Sequence, residues 1–226
     1  MFVHSCDEII RMDSIKAKKF KFHDGWGAKE AHEALLSSGA QSVSISLEWT
    51  LNHFRWIIWK FCSLIRAFPD AYSVDNLSPS WVTSQLLYRY EREVNCCQRS
   101  SLKKIIERDD AAGKYLCLLV AAIDFDRKSL ELTDGWYSIW TVSDTLIWDL
   151  FEGGKLVVGA KLEICLASLA SGSSEGIPAL EASSPASPCK LQIYRNACRL
   201  TRWDTKLGYL CGKGSPVAFL KKLHQI

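Results

Sequence analysis

Apolar and polar positions recur along this chain with two different periods, and the change between them falls near Gly113. Before Gly113 the spacing is helical. Residues 28–37 have a helix-forming composition, which predicts a first helix. Residues 48–66 carry apolar side chains around most of a helical circumference, which predicts a helix buried between other elements and ended by Pro69.

Two more helices are predicted before the change of period. Ser78 and Pro79 are a favourable N-cap and first helical residue. An apolar stripe follows at intervals of four, formed by Val82, Leu86, Tyr90 and Val94. Residues 100–110 predict a further helix. Residues 1–112 are therefore interpreted as an N-terminal leader followed by an all-α helical domain.

Residues 113–226 show the strand period instead. The predicted elements are strands over 115–123, 128–133 and 136–141, a short helix over 144–152, and strands over 160–169 and 190–195. A loop rich in Ser, Gly, Ala and Pro is predicted over 171–188. Three strands, a helix and two strands is the order of an OB-fold. The predicted fold class is α+β: an all-α helical domain followed by a five-stranded OB-fold β-barrel.

The dipeptide Asp134-Gly135 predicts a two-residue type I′ turn, which places Leu132 opposite Tyr137. One face of this hairpin is then apolar and belongs to the core: Leu130, Leu132, Tyr137 and Ile139. The other face holds Trp136 and Trp140 among polar residues. A one-residue slip would exchange the faces, but it is rejected because it would bury the carboxylate of Glu131.

Trp136 and Trp140 are thus expected to lie outside the barrel core. Three alternatives remain for what covers these two side chains: the helical domain or the long loop, a protein partner, or single-stranded DNA. The last is considered because oligonucleotides lie on the face of OB-fold strands 2 and 3, and bases stack on exposed aromatic rings.

The net charge of +3 is unevenly distributed. Residues 190–226 hold a single acid, Asp204, against a set of basic side chains: Lys190, Arg195, Arg199, Arg202, Lys206, Lys213, Lys221 and Lys222. A basic end of this kind suits a polyanion such as nucleic acid. An ordinary solvated surface is the alternative.

The cysteines and the N-terminus indicate a cytosolic or nuclear protein. There are nine cysteines without a CxxC pair, and Cys96 is adjacent to Cys97, so reduced thiols are expected. Acids stand where a signal peptide needs a basic start, and no apolar run is long enough to span a membrane. Histidines and glycines show no metal-ligand, phosphate-cradling or catalytic spacing, so neither an enzyme nor a cofactor is predicted.

Several stretches resemble, in order, the DNA-binding region of the breast cancer type 2 susceptibility protein family. They are HFRWIIWKF (53–61), LLYRYEREV (86–94), SSLKKIIERDDAA (100–112), LELTDGWYS (130–138), GGKLVVGAKLEI (153–164), PALEA (178–182) and RWDTKLGY (202–209). The resemblance covers about residues 20–226. It implies the end of a helical domain followed by the first of three OB-folds, in agreement with the strand order.

The resemblance also implies a function in homologous recombination in the nucleus. The family binds single-stranded DNA, loads a RecA-type recombinase and holds a small acidic partner, the split-hand/split-foot-type protein. Partner contacts would involve Trp56, Trp59, Lys60, Tyr88, Arg89, Tyr90 and Trp136. The second and third OB-folds and the helical tower of the family are not seen here, and Trp140 replaces a polar or basic residue.

Three hypotheses follow. The first is a non-enzymatic repair module that binds the acidic partner, with any recombinase contact only indirect. The second adds direct binding of single-stranded DNA through Trp136, Trp140, Lys190, Arg195, Arg199, Arg202 and Lys206. The third is a degenerate product with no retained activity. A truncated paralogue or fragment that has lost direct DNA binding and serves only as a protein-interaction domain is the alternative to the first.

Overall fold

A computed structural model describes residues 9, 11–170 and 175–210. The last three lysines of the predicted basic end, Lys213, Lys221 and Lys222, lie outside the described residues. So do most of the first ten residues of the predicted leader and residues 171–174 of the predicted loop. The chain divides into two compact units, of which the first ends at Arg99 and the second begins at Ser100. This division precedes the domain limit of 112 expected from the change of period.

The first unit is helical. Its helices are α1 (Ser14–Ala17), α2 (Ala28–Ser37), α3 (Leu47–Ala67) and α4 (Pro79–Tyr90), with a 3₁₀ turn over Val74–Asn76 and a π-helical segment over Glu91–Asn95. Three of these match the predicted spans. The four-residue helix α1 was not predicted. It starts where the Asp13 carboxylate accepts hydrogen bonds from the amides of Ile15 and Lys16.

Helix α3 forms the centre of this unit, as its all-round apolar composition predicted. It packs against α1, α2 and α4. Its buried side chains lie around the whole circumference and include Phe54, Trp56, Ile57, Ile58, Trp59 and Phe61. The caps are local: the Ser46 hydroxyl accepts from the amide of Trp49, and Ser78 accepts from Trp81 at the start of α4.

The second unit combines two helices, α5 (Ser101–Ile106) and α6 (Thr145–Glu152), with a sheet. The strands are β1 (Leu116–Asp124), β2 (Ser129–Thr133), β3 (Ser138–Ser143), β4 (Lys161–Ile164), β5 (Ser168–Ala170), β6 (Lys190–Ile193), β7 (Cys198–Thr201) and β8 (Gly208–Tyr209). Two 3₁₀ turns lie at Glu181–Ser183 and Arg195–Ala197. Asp144 caps α6 by accepting from the amide of Ile147.

Among the described residues, eight strands form one mixed sheet in the order β5-β6-β3-β2-β1-β4-β7, with β8 paired to β1. All pairings are antiparallel except that of β3 with β6. The helical unit followed by this OB-fold-like sheet confirms the predicted fold class. Eight strands are present where five were predicted, because the predicted strand over 160–169 is divided into β4 and β5, and because β7 and β8 were not predicted. Residues 165–167, where Leu166 has φ +54°, separate β4 from β5, and the 3₁₀ turn at 195–197 separates β6 from β7.

The predicted two-residue turn between β2 and β3 is wrong. Leu132 pairs with Ile139, and Thr133 pairs with Ser138, so four residues form the turn. The Asp134 carboxylate accepts from the amides of Trp136 and Tyr137, both at 3.0 Å, and this local bonding closes a longer turn. Since the register differs by two residues, each strand residue keeps its predicted face.

The core of the second unit therefore contains the side chains that the alternation assigned to it. Leu130, Leu132 and Ile139 have no exposed surface, and Tyr137 is 1% exposed although it belongs to the turn. They pack with Leu102, Ile105 and other residues of one continuous cluster.

Candidate nucleic-acid and partner interfaces

The second face of the β2–β3 hairpin, which was expected to lie outside the barrel core, is buried. Glu131 is 2% exposed, and Thr133 and Ser138 have no exposed surface. The Ser138 hydroxyl donates to the Glu131 carboxylate at 2.7 Å. The expectation that Glu131 lies outside is therefore wrong, because a hydrogen-bonded carboxylate can be accommodated in a buried position.

Trp140 lies on this second face and is only 8% exposed. Its indole N–H donates to the carbonyl oxygen of Ser183 at 3.1 Å. Ser183 ends the 3₁₀ turn that packs against β3, and the neighbouring Ala182 is fully buried. Of the coverings left open by the sequence, the long loop is the one that closes over Trp140. The expectation that this indole is accessible for stacking is wrong.

Trp136 lies in the turn rather than on the strand face. It is half-buried and packs against the core cluster. Two other segments meet this turn. The Asp134 carboxylate accepts from the amide of Leu102 at 2.8 Å, and a methyl group placed at Gly135 would lie 3.6 Å from Leu207 Cδ1. The β2–β3 turn, the start of α5 and the β7–β8 connection are therefore neighbours.

The β7–β8 connection carries a residue that the sequence reasoning missed. Trp203 is 68% exposed, which makes it the most exposed aromatic side chain among the described residues. Charge alone singled out Arg202 and Lys206, and not the indole between them. The signal was present in RWDTK, a tryptophan among charged residues in a segment without strand alternation.

The predicted basic residues are spread over several elements. Lys190, on β6, donates to the Pro185 carbonyl at 2.6 Å, and the Arg195 guanidinium donates to the Cys198 carbonyl at 3.1 Å. Both are half-buried. Arg202 and Lys206 are exposed and share the β7–β8 connection. The structure thus brings those two together with Trp203, while Lys190 and Arg195 lie on other elements.

Arg199 is tied to a buried carboxylate. Its Nε donates to Glu163 at 2.6 Å, and Nη2 forms an ion pair with the same oxygen. Glu163 is fully buried and also accepts from the hydroxyls of Tyr115 at 2.6 Å and Thr201 at 2.9 Å. Burial, and then the hydrogen bond to Glu163, raise the pKa of Tyr115. The charge of Arg199 is therefore largely compensated inside the protein.

The positions implied for partner contact in the helical unit differ in their accessibility. Trp56, Trp59, Arg89 and Tyr90 are buried, so their side chains offer little surface for a partner to contact. Arg89 donates to His53 Nδ1 at 2.9 Å, and His53 Nε2 lies 3.3 Å from the Glu93 carboxylate.

Lys60 and Tyr88 are exposed. Arg92, also exposed, donates to the Tyr88 hydroxyl at 2.7 Å, and its guanidinium carbon lies 5.6 Å from the centre of that ring. Partial burial, and then the charge of Arg89, lower the pKa of Lys60. Lys60, Tyr88 and Arg92 are called the Tyr88 patch below. It combines cations with an aromatic ring that a neighbouring arginine orients.

Within the described part of the chain, no group of three or more His, Cys, Asp or Glu side chains is placed to hold a metal ion. In the same part of the chain, no helix combines the length and the hydropathy needed to cross a membrane.

Comparison with known proteins gives two domain matches in the order of the structural units. Residues 20–97 match the family model for the BRCA2 helical domain. Residues 100–211 match the model for the BRCA2 oligonucleotide/oligosaccharide-binding domain 1. The boundary between the matches coincides with the division of the structure after Arg99.

Two curated proteins of Arabidopsis thaliana are similar over most of the chain. Protein BREAST CANCER SUSCEPTIBILITY 2 homolog B is 32% identical over 233 aligned residues, and homolog A is 33% identical over 232; each alignment covers 94% of this chain. The chain spans 20% of the length of each relative. With a helical unit and an OB-fold unit that match in sequence and in order, this chain belongs to the BRCA2 family.

Proposed function

We propose that this chain is a non-enzymatic module of homologous-recombination DNA repair that acts in the nucleus and binds a small acidic protein of the split-hand/split-foot type. The observation that carries the proposal is the ordered match of both units to BRCA2 domains over residues 20–97 and 100–211. Contact with a RecA-type recombinase would then be indirect, through other parts of a repair assembly.

The Tyr88 patch supports an acidic partner by its chemistry. Lys60 and Arg92 present positive charge, while the Tyr88 ring is 51% exposed and offers apolar surface. An acidic peptide with aromatic side chains would pair with the cations and cover the ring. Rim charges of this type contribute mostly to the rate of association, and buried aromatic anchors contribute most of the affinity.

Co-expression of the chain with the acidic partner, followed by gel filtration, tests the proposal. We expect a complex with the unchanged chain and a weaker one with Lys60→Glu or Tyr88→Ala. Lys29→Glu is the matched control, because Lys29 is an exposed lysine on α2 of the same unit. If no complex forms, or if Lys29→Glu weakens it as much as Lys60→Glu, the assignment of this surface is wrong.

Direct binding of single-stranded DNA is the second candidate function. Lys190, Arg195, Arg199, Arg202, Lys206 and Trp136 stay predicted contacts for it. The observation that favours it is the pair of exposed cations, Arg202 and Lys206, on one turn of the OB-fold unit. Binding should weaken steeply with added salt, because each neutralised phosphate releases counterions. A fluorescent oligonucleotide that shows no binding at low salt would favour a purely protein-binding module.

A further inference from the structure

Trp203, on the turn over residues 202–207, is largely exposed although large aromatic side chains are normally covered. Trp203 is 68% exposed. An isolated tryptophan has a large apolar surface, and leaving it in water forgoes the stabilisation that burial would give. An exposed indole on an ordered turn is therefore a candidate binding group.

The turn is anchored on several sides. The amide of Thr205 donates to the Arg202 carbonyl at 3.1 Å, which closes the turn. Lys161, on β4, donates its ammonium to the Thr205 carbonyl at 2.6 Å. The hydroxyls of Thr201 and Thr205 share a hydrogen bond of 3.0 Å. A ligand that stacks on this turn would not have to order the backbone of the turn first. Binding therefore avoids that entropy cost.

Leu207 connects the turn to the β2–β3 hairpin. Its Cδ1 would lie 3.6 Å from a methyl group placed at Gly135, a position with φ +87° that favours glycine. The neighbouring Gly208, with φ +96°, has no room for a side chain because a methyl group there would lie 2.7 Å from Ser101 Oγ. Leu207 and Gly208 thus pack closely against the hairpin and α5, whereas Trp203 of the same turn is largely exposed.

Cations flank the indole. The Arg202 side chain is 82% exposed, and its guanidinium contacts the Asp204 carboxylate at 3.0 Å. Exposed ion pairs of this kind are weak and exchange readily with other anions. Lys206 is exposed as well. Between residues 190 and 210, Asp204 is the one acidic residue of the sequence against five basic ones.

The other two tryptophans of this unit that were considered for stacking are covered to a greater degree. Trp140 is buried and its indole N–H bonds to the Ser183 carbonyl, and Trp136 is half-buried against the core. Trp203 alone among these three combines high exposure with adjacent cations. A planar aromatic ring between positive side chains matches the chemistry of single-stranded nucleic acid, whose bases stack while its phosphates pair with cations.

We propose that Trp203 is the base-stacking residue of a single-stranded nucleic-acid site on the 202–207 turn, with Arg202 and Lys206 contacting phosphates. This inference rests on the proposed DNA-binding function and changes its location, from the β2–β3 face to the β7–β8 turn.

The test measures binding of a fluorescein-labelled oligothymidylate to the whole chain by anisotropy over a series of salt concentrations. Trp203→Ala should weaken binding by about 5- to 150-fold, the range expected for the loss of one stacked base. Trp203→Phe should recover most of it. Phe125→Ala is the matched control, because Phe125 is 67% exposed on another turn of the same unit. It should bind like the unchanged chain.

The salt dependence separates the two kinds of contact. Lys206→Ala should lower the slope of log affinity against log salt by about 0.7, the value for one phosphate contact on a single strand. Trp203→Ala should leave the slope unchanged while it lowers the affinity. Circular dichroism of each variant should match that of the unchanged chain.

The outcomes are distinct. No binding by the unchanged chain at low salt would overturn the DNA-binding function itself. Binding that Trp203→Ala leaves unchanged would overturn only the site on the 202–207 turn. Equal losses from Trp203→Ala and Phe125→Ala would also overturn it. A Trp203→Ala variant that binds oligothymidylate normally but loses the acidic protein partner would reassign the turn as a protein contact.

Discussion

The indole of Trp140 donates its N–H to the carbonyl oxygen of Ser183 across 43 positions of sequence, at a distance of 3.1 Å. This bond joins the third strand to the Ser- and Pro-rich loop, which thereby serves as a cover for the second face of the hairpin. Among the polar residues of this face, the Ser138 hydroxyl donates to the Glu131 carboxylate.

Trp140→Ala should destabilise the second unit by about 3–5 kcal/mol, since a large buried side chain is removed and a cavity remains. Trp140→Phe should cost less, about 1–3 kcal/mol, mainly because the Ser183 carbonyl loses its donor. Urea denaturation measures both. Val142→Ala, at a 46% exposed position of the same strand, should change stability by less than about 0.5 kcal/mol. Equal effects from Trp140→Ala and Val142→Ala would show that the loop does not cover the strand.

Asp134 should be a large contributor to the stability of the β2–β3 turn. Its carboxylate accepts from three amides, those of Leu102, Trp136 and Tyr137, and it is 7% exposed. Asp134→Ala leaves these buried donors unpaired and should cost about 1–3 kcal/mol or more in the free energy of unfolding.

Asp126→Ala, on the exposed β1–β2 turn, is the control for this substitution and should be close to neutral. The midpoint of urea unfolding gives both values. A midpoint that is the same for Asp134→Ala and Asp126→Ala would contradict the bonding described for the turn.

The ion pair of Arg199 with Glu163 should contribute to the stability of the second unit. Arg199→Ala leaves the fully buried Glu163 carboxylate without its cation and should lower the free energy of unfolding by about 3 kcal/mol. This value is at the low end of the range for a broken buried ion pair, because the Arg199 side chain is itself 35% exposed. Arg202→Ala should cost less than about 0.5 kcal/mol, since its pair with Asp204 is exposed. Thermal or urea unfolding measures the stability of both variants. An Arg199→Ala variant as stable as Arg202→Ala would show that Glu163 does not need this partner.

Thiol reactivity should follow burial. Cys96 and Cys97 are exposed, whereas burial raises the pKa of Cys62 and of Cys198 to about 12 and that of Cys165 to about 11. At pH 8 the three buried thiols are almost entirely protonated, because pH 8 lies far below their pKa, and the thiolate is the reactive form.

Brief treatment with iodoacetamide should therefore modify Cys96 and Cys97 well before Cys62, Cys165 and Cys198. Peptide mass spectrometry resolves the sites and separates them from Cys6 and Cys211, which lie outside the described residues. Labelling in urea is the control and should reach all of them. Early modification of Cys198 in the folded chain would contradict its burial.

Much of the architecture could be predicted because it depends on local periodicity. The apolar circumference of residues 48–66 predicted the central helix α3, and the Ser78-Pro79 cap predicted the start of α4. The alternation around Leu130 and Ile139 assigned these side chains to the core, and a register error of two residues did not change that assignment.

The length of the β2–β3 turn could not be predicted in the same way. It depends on Asp134, whose carboxylate also bonds the amide of Leu102, 32 positions earlier in the sequence. A dipeptide rule weighs only the two turn residues. Such a rule does not include the Leu102 amide, a donor that another element brings to the same carboxylate.

The accessibility of the candidate site residues was also decided by contacts between distant segments. Sequence alone established the helical unit, the OB-fold order and the face on which each hairpin residue lies, because the chain's own period sets these. In the tertiary structure the loop around Ser183 covers Trp140, and Arg199 pairs with Glu163. Trp203 stays exposed between Arg202 and Lys206. The physical reason is that periodicity determines the direction in which a side chain points, whereas only the packing of remote segments determines what covers it.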